Sequence, residues 1–249
     1  MKKLSVIIPT IQSKLKVLNK LLTIFEQDSV VDEIILINNA QNEFVPTVPI
    51  KKLKIHNQTK NLFVNPSWNL GIQLMRNDYF LIINDDILCP HNFCSLIMSG
   101  DVLDKEDTGL IGIYHWQMKF YDLNADDMDI PTYSNNSPVK FIPFDYYMGT
   151  GQWASAFWGN KKNYYQIPDE LKIIFGDNYL LKQNLEAGKK NYFARNIIFN
   201  HISSSSTSKI NLYDINNRTN NDFTFAKEYF GEDNFYELHS PPEDNIYKI

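Results

Sequence analysis

Four short aliphatic runs punctuate the first hundred residues, and helix-periodic stretches separate them. Leu4-Ser5-Val6-Ile7-Ile8, Glu33-Ile34-Ile35-Leu36-Ile37, Leu53-Lys54-Ile55-His56 and Tyr79-Phe80-Leu81-Ile82-Ile83 have the length and β-branching of strands. Between the first two, Leu15, Leu18, Leu22 and Phe25 recur at helical spacing, and Ser13 stands where a cap is needed. Asn65-Pro66 reads as the cap and first residue of a helix running to about Arg76. Strands alternating with helices call for right-handed crossovers, and hence for an α/β fold whose mostly parallel sheet is covered on both faces. Ligands of such sheets bind beyond the carboxyl ends of the strands.

Each strand ends in polar residues. Pro9-Thr10 follows the first, Asn38-Asn39 the second, Asn57 and Lys60-Asn61 the third, and Asn84-Asp85-Asp86 the fourth. Four polar clusters on one edge describe a site better than four unrelated loops do.

Beyond residue 100 the pattern loosens. Residues 109–114 read as a strand, and residues 121–138, rich in Asp, Asn and Pro, as an exposed excursion. An aromatic stretch follows with Phe144, Tyr146, Tyr147, Trp153, Phe157 and Trp158. A helix is expected from near Asn178 to a stop at Gly188, then a strand from Tyr192 to Phe199, then His201 and Ser203 to Ser206. Residues 222–230 read as an amphipathic helix with Phe223, Ala226 and Phe230 on one side. No linker divides the chain, so residues 1–249 are expected to form one domain.

Composition narrows the function. Of 249 residues, 43% are hydrophobic and 21% charged, which excludes disorder. A net charge of −5 gives no general attraction to nucleic acid, so an anionic ligand must be held locally. No apolar run approaches the roughly 20 residues of a spanning helix, and Pro9 ends the run that imitates a signal peptide. The chain therefore reads as cytoplasmic. Cys89 and Cys94 flank Pro90-His91, too few ligands for a structural zinc site.

Three elements could carry chemistry. Asn84-Asp85-Asp86, at a strand end, is either a solvated turn or a set of hard oxygen ligands for Mg²⁺ or Mn²⁺ beside a diphosphate. Asp177, in Phe175-Gly176-Asp177-Asn178, either caps the following helix or serves as general base for an acceptor hydroxyl. His201 is either structural or a ligand that favours Mn²⁺. Two weaker signals fail on context. Gly149-Thr150-Gly151-Gln152-Trp153-Ala154 fits a dinucleotide fingerprint but follows no clear strand. Asp122-x-Asn124-x-Asp126 lacks the Gly and Glu of a calcium loop.

In this order, the elements resemble the GT-A-fold glycosyltransferases, especially the family 2 type that includes rhamnosyltransferase-like enzymes. Ser5 to Thr10 is similar to that family's opening strand and nucleotide-contacting turn. Glu33 to Asn39 is similar to its second strand, with Asn38 and Asn39 where an acidic residue commonly meets the base. Asn61 to Gly71 resembles the segment before its second helix, and Tyr79 to Asp86 the strand leading into the D-x-D motif, with Asn84 in the first Asp place. Phe175-Gly176-Asp177 resembles the segment of the catalytic base, and Gly188 to Ser206 the strand that follows. The resemblance runs from residue 2 to roughly 206.

What the resemblance implies is an inverting, metal-dependent transfer from a nucleoside diphosphate sugar to a glycan or glycolipid hydroxyl. On that reading the fold is GT-A (Rossmann-like), with residues 1–100 as the nucleotide-sugar half and 101–249 as the acceptor half and tail. Asp86 and His201 would hold Mn²⁺ or Mg²⁺. Pro9, Thr10, Asn38, Asn39, Asn61, Asn84 and Asp85 would contact the donor, Asp177 would act as base, and Trp153 and Trp158 are acceptor candidates if they are not core. The expected setting is glycan assembly at the cytoplasmic face, with at most peripheral membrane contact and no nucleic acid partner. The Asn residues at 38 and 84 motivate the alternative, an inactive nucleotide- or carbohydrate-binding module on the same fold.

Overall fold

All four expected strands form, as β1 (Leu4–Thr10), β2 (Val31–Asn38), β3 (Leu53–Asn57) and β4 (Tyr79–Ile83). The computed structural model describes residues 2–133, 138–147, 150, 153–202 and 212–231, apart from the side chains of 115 and 212–220. Gly149, Gly151 and Ser203 to Ser206 therefore lie outside the described residues. The later strands are β5 (Ile87–Leu88), β6 (Thr108–Ile113), β7 (Met118–Phe120), β8 (Lys140–Phe144), β9 (Ala156–Asn160), β10 (Lys190–Arg195) and β11 (Phe199–His201). The helices are α1 (Leu15–Gln27), α2 (Val64–Leu74), α3 (Phe93–Met98), α4 (Gly176–Glu186) and α5 (Leu212–Phe230).

Eight strands make the main sheet, in the order β3-β2-β1-β4-β9-β6-β10-β8. β1 is parallel to both β2 and β4, β2 to β3, and β6 to β10. β9 runs antiparallel between β4 and β6, and β8 lies antiparallel to β10 at the far edge. Side chains alternate across the sheet, as a period of two requires. Val6, Ile8, Ile34, Leu36, Leu81 and Ile83 pack on one face with α1 and α3. Ile7, Ile35, Ile37, Phe80 and Ile82 pack on the other with α2 and α4. Apolar residues on both faces of one strand are the mark of a sheet covered twice. A smaller sheet, β5-β11-β7, stands beside the carboxyl end of β4.

Local details differ from the sequence expectation at the ends of elements. The α1 cap falls on Lys14 rather than Ser13 and has no side-chain cap bond. α2 begins at Val64, two residues before Pro66, after Phe63 turns the chain at φ 70°. Pro66 sits in the first turn, where no N–H partner is missed. The strand expected from Tyr192 to Phe199 is two strands in different sheets, broken at Asn196 with φ 69°. The Asn196 N–H donates to Gln117 Oε1 and its Nδ2 to Pro138 O, which holds the break. α4 ends as expected, with Gly188 at φ 75° donating to Leu185 O. Cys89 and Cys94 are free, buried thiols, and burial pushes both well above the usual thiol range. Among the described residues, no helix is long and apolar enough to cross a membrane.

At the amino ends of the strands, Glu33 is enclosed, with 1% of its side chain exposed. Ser5 Oγ and the Arg76 N–H donate to its Oε1 at 2.7 and 2.8 Å, and Lys54 Nζ reaches Oε2 at 2.6 Å. Burial opposes its ionisation, yet the Lys54 ammonium and these donors hold the carboxyl below its usual range. A depressed pKa stabilises the fold above the ordinary carboxylate range and stops doing so as pH falls through the folded value. Glu33→Gln is expected to cost about 2 kcal/mol at pH 7, from hydrogen bonds to a charged group. In urea melts the difference from wild type should shrink steadily on acidification, and a gap that stays constant down to pH 3 would refute the assignment.

Candidate functional site

Strand register decides which polar ends meet. Thr10 stands opposite Asn38, and Asn38 opposite Asn57, so three strands end level. β4 leaves the sheet at the same edge as Asn84-Asp85-Asp86. There Thr10 Oγ1 donates to Asp85 Oδ2 at 2.5 Å, joining the ends of β1 and β4, and accepts the Gln12 N–H at 2.8 Å. The Asn84 N–H donates to Ser155 O at 3.0 Å, which ties in β9. Asp85 and Asp86 are 3% and 5% exposed, too enclosed for a solvated turn.

The asparagines divide by role. Asn38 is fully buried; its Nδ2 donates to Asn42 O and Asn57 Oδ1, and its Oδ1 accepts from Gln12 Nε2 and Ala40 N–H. Two donors and two acceptors are then spent on its own loop and on the neighbouring strand ends, which gives the Asn38 side chain a scaffold role. Asn39 links the loop to α2, accepting from the Leu62 N–H at 3.0 Å and donating to Ser67 Oγ at 2.9 Å. Asn61 accepts the Phe63 N–H at 2.8 Å. Pro9, Asn61 and Asn84 each keep part of their surface open.

The small sheet delivers the histidine. β11 is antiparallel to β5 with His201 opposite Ile87, which sets the imidazole beside Asp86. His201 Nε2 lies 3.4 Å from Asp86 Oδ1, and the Ile202 N–H donates to Asp86 O at 3.0 Å. His201 Nδ1 is buried with no hydrogen-bond partner among the described residues. Two ligands about 2.1 Å from one ion stand about 3–3.5 Å apart, so the pair fits a divalent ion. Among the described residues no cluster of three such side chains forms, so oxygen ligands from outside the chain would have to complete the shell.

Asp177 sits in the first turn of α4, and the cap is Phe175, left-handed at φ 61°. α4 packs on the sheet through Leu180 and Leu181 and turns at Gly188 into β10, so its start lies at the strands' carboxyl edge. Asp177 keeps part of its surface open while its carboxyl is crowded by the fold. Burial pushes that carboxyl up to about 6, against the N–H groups of Asn178 and of Asp177 itself.

The two tryptophans are a correction. Trp153 and Trp158 are both 0% exposed. Trp153 stacks on Phe157 and donates Nε1 to Tyr192 O, while Trp158 meets Phe93 edge-on. Neither offers a ring face to an acceptor; both are core, as large apolar rings between sheet and helix tend to be. The sequence reading passed over Phe120, which stands opposite His201 on β7. Its ring lies 5.7 Å from the imidazole and 44% of the residue is exposed. Register with His201 is the signal that finds it, and register is invisible before the small sheet is known.

The profile described as Glycosyl transferase family 2 matches residues 5–129. No curated protein matches the sequence. Among solved structures, TarS of S. aureus, residues 1–349, superposes with a TM-score of 0.54 at 13% identity, over 91% of this chain and 73% of that one. The same protein in complex with UDP-GlcNAc gives 0.56 at 13%, over 84% and 62%. GalNAc-T7 with UDP, GalNAc and Mn²⁺ gives 0.60 at 11%, over 81% and 44%. At these identities the likeness is one of fold. The chain spans less than two thirds of the latter two.

Two substitutions test the geometry around Asp177. A raised carboxyl pKa leaves stability intact below the ordinary value of 3.8 and removes it as pH rises through about 6. Asp177→Asn is therefore expected to be about 1–3 kcal/mol more stable than wild type at pH 8, and no more stable at pH 4. Melting temperature against pH reads this directly, and equal curves would refute the buried carboxylate. A Cβ on Gly176 would stand 2.3 Å from Asn65 Oδ1. Gly176→Ala is expected to cost about 1–3 kcal/mol in a denaturant melt, since the buried Asn65 amide has little room to yield; a neutral effect would contradict that contact.

Proposed function

The chain belongs to glycosyl transferase family 2, and from that premise we propose that it moves a sugar from a nucleoside diphosphate donor to a glycan or glycolipid hydroxyl with inversion. The observation that carries this reading is Asp86 and His201, 3.4 Å apart at the carboxyl edge of a sheet whose other strand ends are polar and level. The UDP and UDP-GlcNAc complexes of structural neighbours support a nucleoside diphosphate donor.

Each residue has a distinct task. Asp86 and His201 would hold Mn²⁺ or Mg²⁺, which would supply positive charge against the negative charge that grows on the departing diphosphate. Asp85, fixed by Thr10, and Asn84 orient the ribose and the donor sugar, with Pro9, Asn39 and Asn61 walling the nucleotide. Asp177 accepts the proton of the acceptor hydroxyl as its oxygen forms a bond to the anomeric carbon, opposite the departing diphosphate oxygen. A carboxylate with pKa near 6 is ionised at neutral pH yet more basic than an ordinary Asp. Phe120, exposed beside His201, is the ring proposed to lie against a sugar face.

A thermal-shift panel of UDP, GDP and dTDP, each with Mn²⁺ and with EDTA, tests the reading. A ligand at 100 times its Kd adds about 2.7 kcal/mol of stability. The expected result is stabilisation by one nucleotide that needs Mn²⁺, persists in Asp177→Asn and vanishes in Asp86→Ala. Absence of any nucleotide shift in wild type would overturn it in favour of a carbohydrate-binding module.

A further inference from the structure

The segment that leads into Asp177, residues 171–175, belongs to neither helix nor strand, and its backbone must find partners elsewhere. Two buried side chains from distant parts of the chain supply them. Asp222, 0% exposed on α5, accepts three successive N–H groups: Lys172 on Oδ1 at 2.9 Å, and Ile173 and Ile174 on Oδ2 at 2.8 and 2.9 Å. Three consecutive amides around one carboxylate form an anion-binding nest, occupied here by a side chain of the protein itself. Asn65, 1% exposed in the first turn of α2, takes the carbonyls: Nδ2 donates to Leu171 O at 3.3 Å and Ile174 O at 3.2 Å. The Asn65 N–H donates to Lys172 O at 3.1 Å.

Below this grip the chain has little freedom. Phe175 is left-handed and its ring meets Phe223 of α5 edge-on at 5.2 Å. Gly176 lies against Asn65, and Asp177 follows at once. α5 is further fixed to α4 by Gln183 Nε2 on Tyr229 Oη at 2.6 Å, and by the Tyr147–Phe230 stack to the loop before β9.

We propose that Asp222 is a positioning residue for Asp177, acting with Asn65 as a two-sided clamp on the main chain of residues 171–174. The proposal rests on the reading of Asp177 as base given above. Asp222 is too deeply enclosed to touch substrate, and it sits outside the stretch that carries the family signature. Its task is to hold the turn that presents the Asp177 carboxylate, partly open, in a crowded setting. The influences on Asp177 are burial and N–H groups rather than a neighbouring charge. Among the described side chains, the ionisable groups on the elements around it include Tyr147, Lys172, Tyr179, Lys182, Glu186, Asp222, Lys227, Glu228 and Tyr229.

The test needs no substrate. The Asp177 carboxyl is titrated by carbon-13 NMR in the full chain, its resonance assigned by its loss in Asp177→Asn. Amide hydrogen exchange at Lys172, Ile173 and Ile174 is followed in parallel. Asp222→Asn keeps the shape but turns an N–H₂ toward donors. It is expected to speed exchange at those amides about tenfold or more and to move the Asp177 titration from near 6 toward the ordinary carboxylate range. Phe25→Leu, destabilising in the core on the other face, should leave the titration where it is. Should Asp222→Asn not fold, Asp222→Glu decides, because its carboxylate stands one methylene too far and must shift the segment. An Asp177 titration unmoved within about 0.3 pH units in the folded Asp222 variant overturns the clamp. Failure of the base assignment is seen separately, as sugar transfer that survives Asp177→Asn.

Discussion

The strand-end half of the site follows from β1 lying parallel between β2 and β4. Because all three strands point the same way and end near one level, Thr10, Asn38 and Asn84 emerge together. A hydroxyl from one strand end can then fix a carboxylate from another, and Thr10 on Asp85 is that bond. The apolar residues that make this pairing stable fill both sheet faces and leave polar groups to collect at the strand ends, those of the site at the carboxyl end. β9, running the other way, carries Ser155 back to the same edge to accept the Asn84 N–H.

How much of this was legible beforehand depended on whether the deciding contact was local. The four early strands, α1 and the Gly188 stop follow from periodicity and turn chemistry, which neighbours in sequence determine. The D-x-D-like triplet and Asp177 could be named because each follows or precedes an element that sequence already outlines. Trp153 and Trp158 could not be resolved, since a ring in the core and a ring in a groove have the same local sequence; only burial separates them. Asn38 read as a ligand contact because nothing local reveals that Gln12, Asn42 and Asn57 already use it up. Asp222 left a trace: with Ala226 and Phe230 four and eight residues on, it marks the buried face of a helix, and a carboxylate there must have partners.

The division of labour between the two halves is physical as well as topological. The first half supplies level strand ends and carboxylates in a rigid frame of parallel strands. The second half brings His201 through a three-residue strand in a separate small sheet, and Asp177 through a helix N-terminus. Both arrivals depend on long-range contacts: β11 on β5, and the irregular segment before α4 on α2 and α5. The family profile matches the frame, residues 5–129, and both arrivals lie beyond that stretch.

Asp222 and Asn65 hold residues 171–174 entirely by main-chain atoms. None of the side chains of Lys172, Ile173 and Ile174 takes part in the grip, and all three keep some surface open. These side chains can therefore change charge or bulk without moving the backbone that carries the Asp177 carboxylate. A backbone gripped by buried groups beneath partly open side chains separates the geometry of the carboxylate from the character of the surface around it.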